Sequence, residues 1–184
     1  MIAGVIFYLA RKVFPPIQVM GVAAYDTHVA MTVGFLTGLL LALVQFRIES
    51  WFPRIRQLAN DHPLLQGPWQ TWTVIIIAGA LSEELWRALS LQTLQAAGFN
   101  LPVVIVLTSL AYAFAQLGGV PGRLLGIWED VVAAVVVGLA LALLFREYGS
   151  VLANCAANLT FNSLKMYAAR HRGKSSTSGR MEHT

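Results

Sequence analysis

Apolar runs long enough to cross a lipid bilayer follow one another along most of this sequence. A transmembrane helix needs roughly 20 mainly apolar residues, and five segments approach or exceed that length: 19–46, 69–97, 101–117, 125–145 and 150–169. Of the 184 residues, 57% are hydrophobic and 12% are charged, whereas a soluble domain carries roughly 25% charged residues. The pattern predicts an all-α, polytopic membrane helical bundle of about five transmembrane helices, or six if residues 1–16 also form a span.

Short connections that contain glycine or proline separate these segments. They are 98–102 (GFNLP), 118–122 (GGVPG) and 148–150 (YGS). Such sequences mark turns, and connections this short place consecutive helices side by side and antiparallel. We therefore expect a single integral membrane domain over residues 1–170. The tail over residues 171–184 is basic and polar, which predicts a disordered segment.

The formal net charge of +4 comes from basic residues that flank the apolar segments. This placement is typical of membrane topology, so we expect membrane lipids, and not nucleic acid, around these charges. With five spans, the first loop and the tail lie on one side of the membrane, and Arg11, Lys12 and Arg146 lie on the other. The first of these sides has more arginine and lysine. The richer side should be cytoplasmic. This predicts a cytoplasmic C-terminus, with the N-terminus outside unless residues 1–16 form a span. We expect the membrane to be a bacterial inner (plasma) membrane.

The stretch 79–89 (GALSEELWRAL) places three ionisable side chains in the middle of the second apolar segment. Charges inside a bilayer are costly and usually face the interior of the bundle. Glu83 and Arg87 are four residues apart, in the favoured order for a helical ion pair, and Glu84 is three residues from Arg87. One carboxylate can therefore be neutralised by Arg87, whereas the other needs a hydrogen-bond donor or a proton. Such a pair can pin two helices together or belong to a functional site.

Polar side chains also recur in the third and fifth segments. They are Ser109, Tyr112 and Gln116 in the third, and Asn154, Asn158 and Asn162 in the fifth. The three asparagines are four residues apart and share one helix face. Amide hydrogen bonds often join membrane helices, at roughly 0.6–2 kcal/mol each, so helix association is one interpretation. The other is that these faces and the charged stretch converge on a single internal site.

With these motifs, the sequence resembles the CPBP intramembrane proteases, which include the type II CAAX prenyl endopeptidases and the bacterial Abi (bacteriocin-immunity) proteins. The family pattern is Glu-Glu-x-x-x-Arg, then Phe-x-x-x-His, then His-x-x-x-Asn or a close variant. The resemblance covers residues 69–165 and includes the runs 85–89 (LWRAL), 109–117 (SLAYAFAQL) and 137–153 (VGLALALLFREYGSVLA). It implies a site in which the first glutamate and both histidines activate a water that attacks a peptide carbonyl, while the second glutamate pairs with the arginine.

The first motif departs from that pattern. Aligned on Arg87 without a gap, Ser82 takes the place of the first glutamate, Glu83 that of the second, and Glu84 falls on a variable position. To use Glu83 and Glu84 as the motif pair would delete one residue from the helix and rotate the rest of that helix by ~100°, so the gapless alignment is preferred. The resemblance then implies a structural ion pair between Glu83 and Arg87.

The other two motifs lack their histidines. The second becomes Tyr112-x-x-x-Gln116 and the third becomes Asn158-x-x-x-Asn162. Amide side chains do not titrate near neutral pH, and they are poor ligands for a catalytic divalent metal compared with histidine. We therefore predict a degenerate site at these positions, with no assigned catalytic residue, no metal and no cofactor.

Three functions remain open. The first is a pseudo-protease that binds other transmembrane segments, as an accessory or structural subunit of a membrane complex or as a chaperone. The second is an intramembrane peptidase of the CAAX endopeptidase type, in which Glu83 or Glu84 acts as the base while Tyr112, Gln116 and Asn158 hold the water and the oxyanion. The third is an immunity or transport-related protein that binds a small peptide. The missing histidines favour the first.

Overall fold

The computed structural model describes residues 27–52, 67–118 and 128–178, with side chains described for 27–52, 67–115 and 131–172. In chain order the helices are α1 (Thr27–Trp51), α2 (Trp69–Ala96), α3 (Leu101–Gly118), α4 (Trp128–Tyr148) and α5 (Val151–Ser178). The described ranges contain no β-strand, so the predicted all-α bundle is confirmed. The possible span over residues 1–16 lies outside these ranges.

Two of the predicted turns have the residues that their backbone geometry needs. Gly98 ends α2 with a φ of 89°, and Gly149 separates α4 from α5 with a φ of 57°. This left-handed conformation suits glycine because glycine has no Cβ. The side chains of Asn100 and Ser150 each accept a hydrogen bond from the backbone N–H three residues later, at 3.1 and 3.3 Å. These are helix N-caps, and they fix the entry into α3 and α5.

Helices α1 and α5 pack together through small residues. A Cβ placed on Gly34 would overlap the backbone oxygen of Ala153, and one placed on Gly38 would overlap that of Ala157. The matching order along both helices shows that α1 and α5 run parallel. Glycines spaced by four allow two membrane helices to approach at the backbone, where packing replaces the hydrophobic effect as the attractive force.

Helices α3 and α4 also approach each other closely. A Cβ on Gly138 would lie 3.1 Å from both the backbone oxygen of Ser109 and the Tyr112 Cδ1 atom. The next turn of α4 lies inside the bundle, since Leu141 and Ala142 are both 0% exposed. Helix α2 packs on α5 and α3, which brings its charged stretch to the polar faces of those two helices.

The outer surface of the bundle is apolar, as a lipid-facing surface requires. Leu40, Leu43 and Val74 are each more than 60% exposed. The segments Thr27–Trp51 and Val131–Tyr148 are long and apolar enough to cross a membrane, and Leu101–Ala115 is a shorter apolar helix. These features support a helical membrane protein.

The last helix extends beyond the predicted span. The predicted span ends at residue 169, whereas α5 continues to Ser178, into the segment for which the sequence predicts disorder. Hydropathy marks where a helix leaves the lipid, but it does not mark where the helix ends. Arg172 keeps this extension packed on α1, because its Nη1 donates to Glu49 Oε2 at 2.9 Å. Residues 179–184 lie outside the described ranges.

Candidate functional site

Glu84 on α2 is the centre of a buried polar cluster. Its side chain is 0% exposed. Its Oε2 atom accepts hydrogen bonds from Arg87 Nε at 2.9 Å and Asn154 Nδ2 at 2.8 Å, and its Oε1 atom accepts one from Asn158 Nδ2 at 2.7 Å. Arg87 is equally buried, so the two opposite charges compensate each other away from water. Three donors replace the hydration that a carboxylate loses on burial.

Asn158 on α5 joins the two glutamates. Its Nδ2 atom donates to Glu84 and also to Glu83 Oε2, the latter at 3.1 Å. Its Oδ1 atom accepts a hydrogen bond from Asn162 Nδ2. Asn158 is 1% exposed, whereas Glu83 and Asn162 are partly exposed. The cluster therefore runs from a sealed interior around Glu84 to an accessible edge at Glu83 and Asn162.

Arg87 connects α2 to the two helices behind it. Its Nη1 atom donates to the backbone oxygen of Gly138 on α4 at 3.1 Å. Its Cζ atom lies 4.5 Å from the ring centroid of Tyr112 on α3, a cation–π distance. Tyr112 is 5% exposed and also forms a hydrogen bond to Glu83. Polar groups from α2, α3, α4 and α5 thus meet at one place.

The predicted convergence of three polar faces is what the structure shows for most of these residues. Asn154, Asn158 and Asn162 line one face of α5. Asn154 and Asn158 bond Glu84 directly, and Asn162 donates to Asn158. Tyr112 reaches it from α3. Ser109, by contrast, donates to the Ile105 oxygen of its own helix. Gln116 belongs to α3, but its side chain lies outside the described ones.

The carboxylate that bonds Arg87 differs from the predicted one. Arg87 Nε donates to Glu84, three residues earlier, while Glu83, the predicted partner, accepts from Asn158 and bonds Tyr112. The preference for an i,i+4 pair is worth only ~0.2–0.5 kcal/mol. Leaving a buried charge uncompensated costs roughly 3–5 kcal/mol. Burial therefore decides which glutamate pairs with Arg87.

The buried stripe of α2 explains why Glu84 faces inward. Ala80, Glu84, Ala88 and Leu91 are all buried, and their spacing places them on one helix face. The alanines four residues before and after Glu84 mark the side on which another membrane helix can approach closely. This signal was present in the sequence, and it identifies Glu84, not Glu83, as the innermost acidic residue.

Ser82 lies outside the cluster. Its side chain is exposed, and its hydroxyl donates to the Gly79 oxygen of its own helix at 3.0 Å. The structure therefore differs from the gapless alignment, which places Ser82 at a reacting position and Glu84 at a variable one. The two carboxylates that meet Asn158 are Glu83 and Glu84.

Two members of the cluster are backbone carbonyls of α4. Gly138 O accepts from Arg87, and Leu141 O accepts from Asn154 Nδ2 at 2.8 Å. Carbonyl acceptors carry no side-chain signature, so sequence patterns could not identify them. The glycine inside an apolar helical run was the available hint, since such a glycine usually has a packing role.

The chemistry of the cluster is hydrogen bonding and charge compensation. Within the described residues, no group of three or more His, Cys, Asp or Glu side chains is placed to hold a metal ion. Amide nitrogens donate hydrogen bonds but do not take up a proton near neutral pH. Glu84 already accepts three hydrogen bonds. Glu83 is the ionisable group at the accessible edge.

Comparison with known proteins places this cluster in a family. A family model described as Type II CAAX prenyl endopeptidase Rce1-like matches residues 64–164, which is more than half of the chain. The matched region holds every residue of the cluster and leaves α1 outside. The searches of curated proteins and of solved structures give no match. From the family match, the chain belongs to the Type II CAAX prenyl endopeptidase Rce1-like family.

Proposed function

We propose that this chain is a non-hydrolytic member of its family, which binds transmembrane segments of partner proteins as an accessory subunit of a membrane complex. One observation carries the proposal: the Asn158 amide lies between Glu83 and Glu84 and donates to both. The resemblance implies a histidine at this position in an active protease. An amide nitrogen in its place holds the carboxylates but supplies neither a base nor a metal ligand.

The hydrogen bonding and the burial of Glu84 also support a non-hydrolytic role. A general base needs a lone pair directed at the proton that it removes. Glu84 directs its carboxylate at Arg87, Asn154 and Asn158, and its side chain is 0% exposed. It thus supports the helix packing and has no path to a substrate. Buried ion pairs that hold elements in register are a known use of such charges.

The edge of the cluster supports the binding role. Glu83 and Asn162 are partly exposed on neighbouring helices α2 and α5. A polar side chain on a partner helix would find hydrogen-bonding groups there, and inside a bilayer such contacts join helices. Exposed apolar side chains on the same two helices, such as Leu81 on α2 and Leu152 on α5, suit the rest of a transmembrane partner.

Peptidase activity is the first measurement to make. The protein would be reconstituted in liposomes and incubated with prenylated CAAX peptides and with transmembrane peptides, next to its Glu83→Gln variant. We expect no cleavage above the level of the Glu83→Gln variant. Cleavage that this variant abolishes would disprove the proposal.

Partner binding is the second measurement. We expect gentle detergent extraction of the tagged protein from its native membrane to recover transmembrane subunits in stoichiometric amount. Asn162→Leu, which removes the amide at the edge, should reduce that recovery. Ser163→Leu is the matched control, because Ser163 is exposed one residue further along α5 and points ~100° away. A monomer with no co-purifying subunit would contradict the proposal.

A rearranged peptidase is the second candidate, and the position of Glu83 favours it. This partly exposed carboxylate lies against the Asn158 amide and Tyr112, which could orient a water and an oxyanion. Cleavage that is lost in Glu83→Gln and suppressed by a chelator would support this candidate.

For the orientation, we propose a cytoplasmic C-terminus in a bacterial inner membrane. Because α1 and α5 run parallel, their C-terminal ends share one membrane face, which carries Arg47, Arg170 and Arg172. Basic residues favour the cytoplasmic side. A C-terminal fusion to a reporter that is active only in the cytoplasm should be active, and activity of a periplasmic reporter instead would reverse the assignment.

A further inference from the structure

We propose that the sealed part of the cluster binds one water molecule, held between Arg87 Nη2 and Asn154 Oδ1. These two atoms are buried and have no hydrogen-bond partner within the protein. One is a donor and the other is an acceptor. Both side chains are 0% exposed. A buried polar atom without a partner costs roughly 1–3 kcal/mol, so two such atoms in one small region require an explanation.

The two groups meet at a single oxygen atom. Arg87 Nε and Asn154 Nδ2 both donate to Glu84 Oε2, at 2.9 and 2.8 Å. Nη2 is bonded to the same guanidinium carbon as Nε, and Oδ1 to the same amide carbon as Nδ2. Each unpartnered atom is therefore two covalent bonds away from a nitrogen that donates to Glu84 Oε2, one on α2 and one on α5.

Neither side chain can satisfy its unpartnered atom by turning. If the Asn154 amide were flipped, its oxygen would face Glu84 Oε2 and Leu141 O, which are both acceptors. The Arg87 guanidinium is held by Glu84, by the Gly138 oxygen and by the Tyr112 ring. Both side chains are thus held in their orientations, so only a bound molecule can supply hydrogen-bond partners for these two atoms.

Water is the ligand that fits these requirements. It can accept from Arg87 Nη2 and donate to Asn154 Oδ1, and a buried water usually makes two to four hydrogen bonds with such groups. A peptide group has the same donor and acceptor, but it is large and would need access from outside. Because Glu84, Arg87 and Asn154 are all fully buried, the site is closed to a partner helix.

This water is distinct from the water that a hydrolase would use. The two side chains that would hold it both donate to Glu84 Oε2, whereas Glu83 is joined through Asn158 to Glu84 Oε1. Its role is to complete the hydrogen bonding that ties α2 to α5. The inference does not depend on the proposed function, since the site would be filled whether the chain binds partners or cleaves peptides.

An experimental structure of the wild-type protein, at a resolution that shows ordered water, tests this directly. We expect a solvent peak within hydrogen-bond distance of both Arg87 Nη2 and Asn154 Oδ1. Well-ordered side chains with no peak between them would overturn the proposal, as would a direct hydrogen bond from either atom to another protein group.

Side-chain NMR of the arginine-labelled protein in nanodiscs is an independent measurement. The Arg87→Lys variant identifies the Arg87 signals by their loss. We expect the Arg87 Nη protons to show cross-relaxation to a water that stays bound for longer than the tumbling time of the particle. Arg170, which is partly exposed, should show only fast exchange with bulk water. The same fast exchange at Arg87, or no water contact there, would overturn the proposal.

Discussion

Gly34 of α1 lies so close to Ala153 of α5 that a Cβ on the glycine would overlap the alanine's backbone oxygen. Lipid tails are as apolar as leucine, so burial alone does not hold α1 in place. Its attachment depends on this close backbone contact, on the equivalent one at Gly38, and on the ion pair near the helix ends. Since α1 lies outside the family match, this interface joins a further helix to the family region.

Gly34→Ala should destabilise the protein by about 1–3 kcal/mol, the usual range for overpacking. The added methyl group meets backbone, which cannot move aside as a side chain can. Gly79→Ala is the matched control, because a Cβ on Gly79 has nothing within 4 Å. Thermal unfolding in mild detergent should show a lower Tm for Gly34→Ala and an unchanged or higher Tm for Gly79→Ala. Equal effects would contradict the observed α1–α5 contact.

Glu84→Gln should be more damaging than Glu83→Gln. Glu84→Gln leaves the Arg87 guanidinium charged and buried, which costs roughly 3–5 kcal/mol, whereas Glu83 lies at the partly exposed edge. Chemical or thermal unfolding of the two purified variants measures the difference. If Glu83→Gln proves the more destabilising change, then Glu83 is the structural partner of Arg87, as the gapless alignment implies.

The bundle and much of the cluster can be predicted from the sequence because their signals are local. Apolar length defines the helices, and the four-residue spacing of Asn154, Asn158 and Asn162 defines one polar face. The turns at Gly98 and Gly149 are marked by residues that tolerate positive φ. Each of these features is set by a few neighbouring residues.

The rest depends on contacts between distant segments. Burial against α5 decides which glutamate pairs with Arg87. The contact that ties α1 to the end of α5 joins Glu49 and Arg172, which are 123 residues apart. The Gly138 and Leu141 carbonyls enter the cluster as backbone atoms. No pattern within a single segment contains this information.

Arg87→Lys should weaken the bundle even though it keeps the positive charge beside Glu84. Lysine cannot reproduce the fixed fork that lets Arg87 bond Glu84 and the Gly138 oxygen together while lying over Tyr112. We expect a loss of about 1–3 kcal/mol from the unmade hydrogen bonds, measured by thermal unfolding. Arg170→Lys is the control, with an expected change within about 0.5 kcal/mol. Wild-type stability in Arg87→Lys would show that charge alone matters at this position.

Arg172→Ala should loosen the attachment of α1 to α5. Glu49 is 1% exposed, and its Oε2 accepts from Arg172 Nη1 at 2.9 Å. Its Oε1 accepts a long hydrogen bond from Gln45, at 3.4 Å. Removing Arg172 leaves a buried carboxylate with poor compensation, at a cost of roughly 1–3 kcal/mol or more. Adding Glu49→Gln to Arg172→Ala should restore part of this loss, because the amide carries no charge. Thermal unfolding of the single and double variants, with Arg170→Ala as the control, measures both effects. A double variant that is less stable than Arg172→Ala alone would show that the ion pair is not what holds these helix ends together.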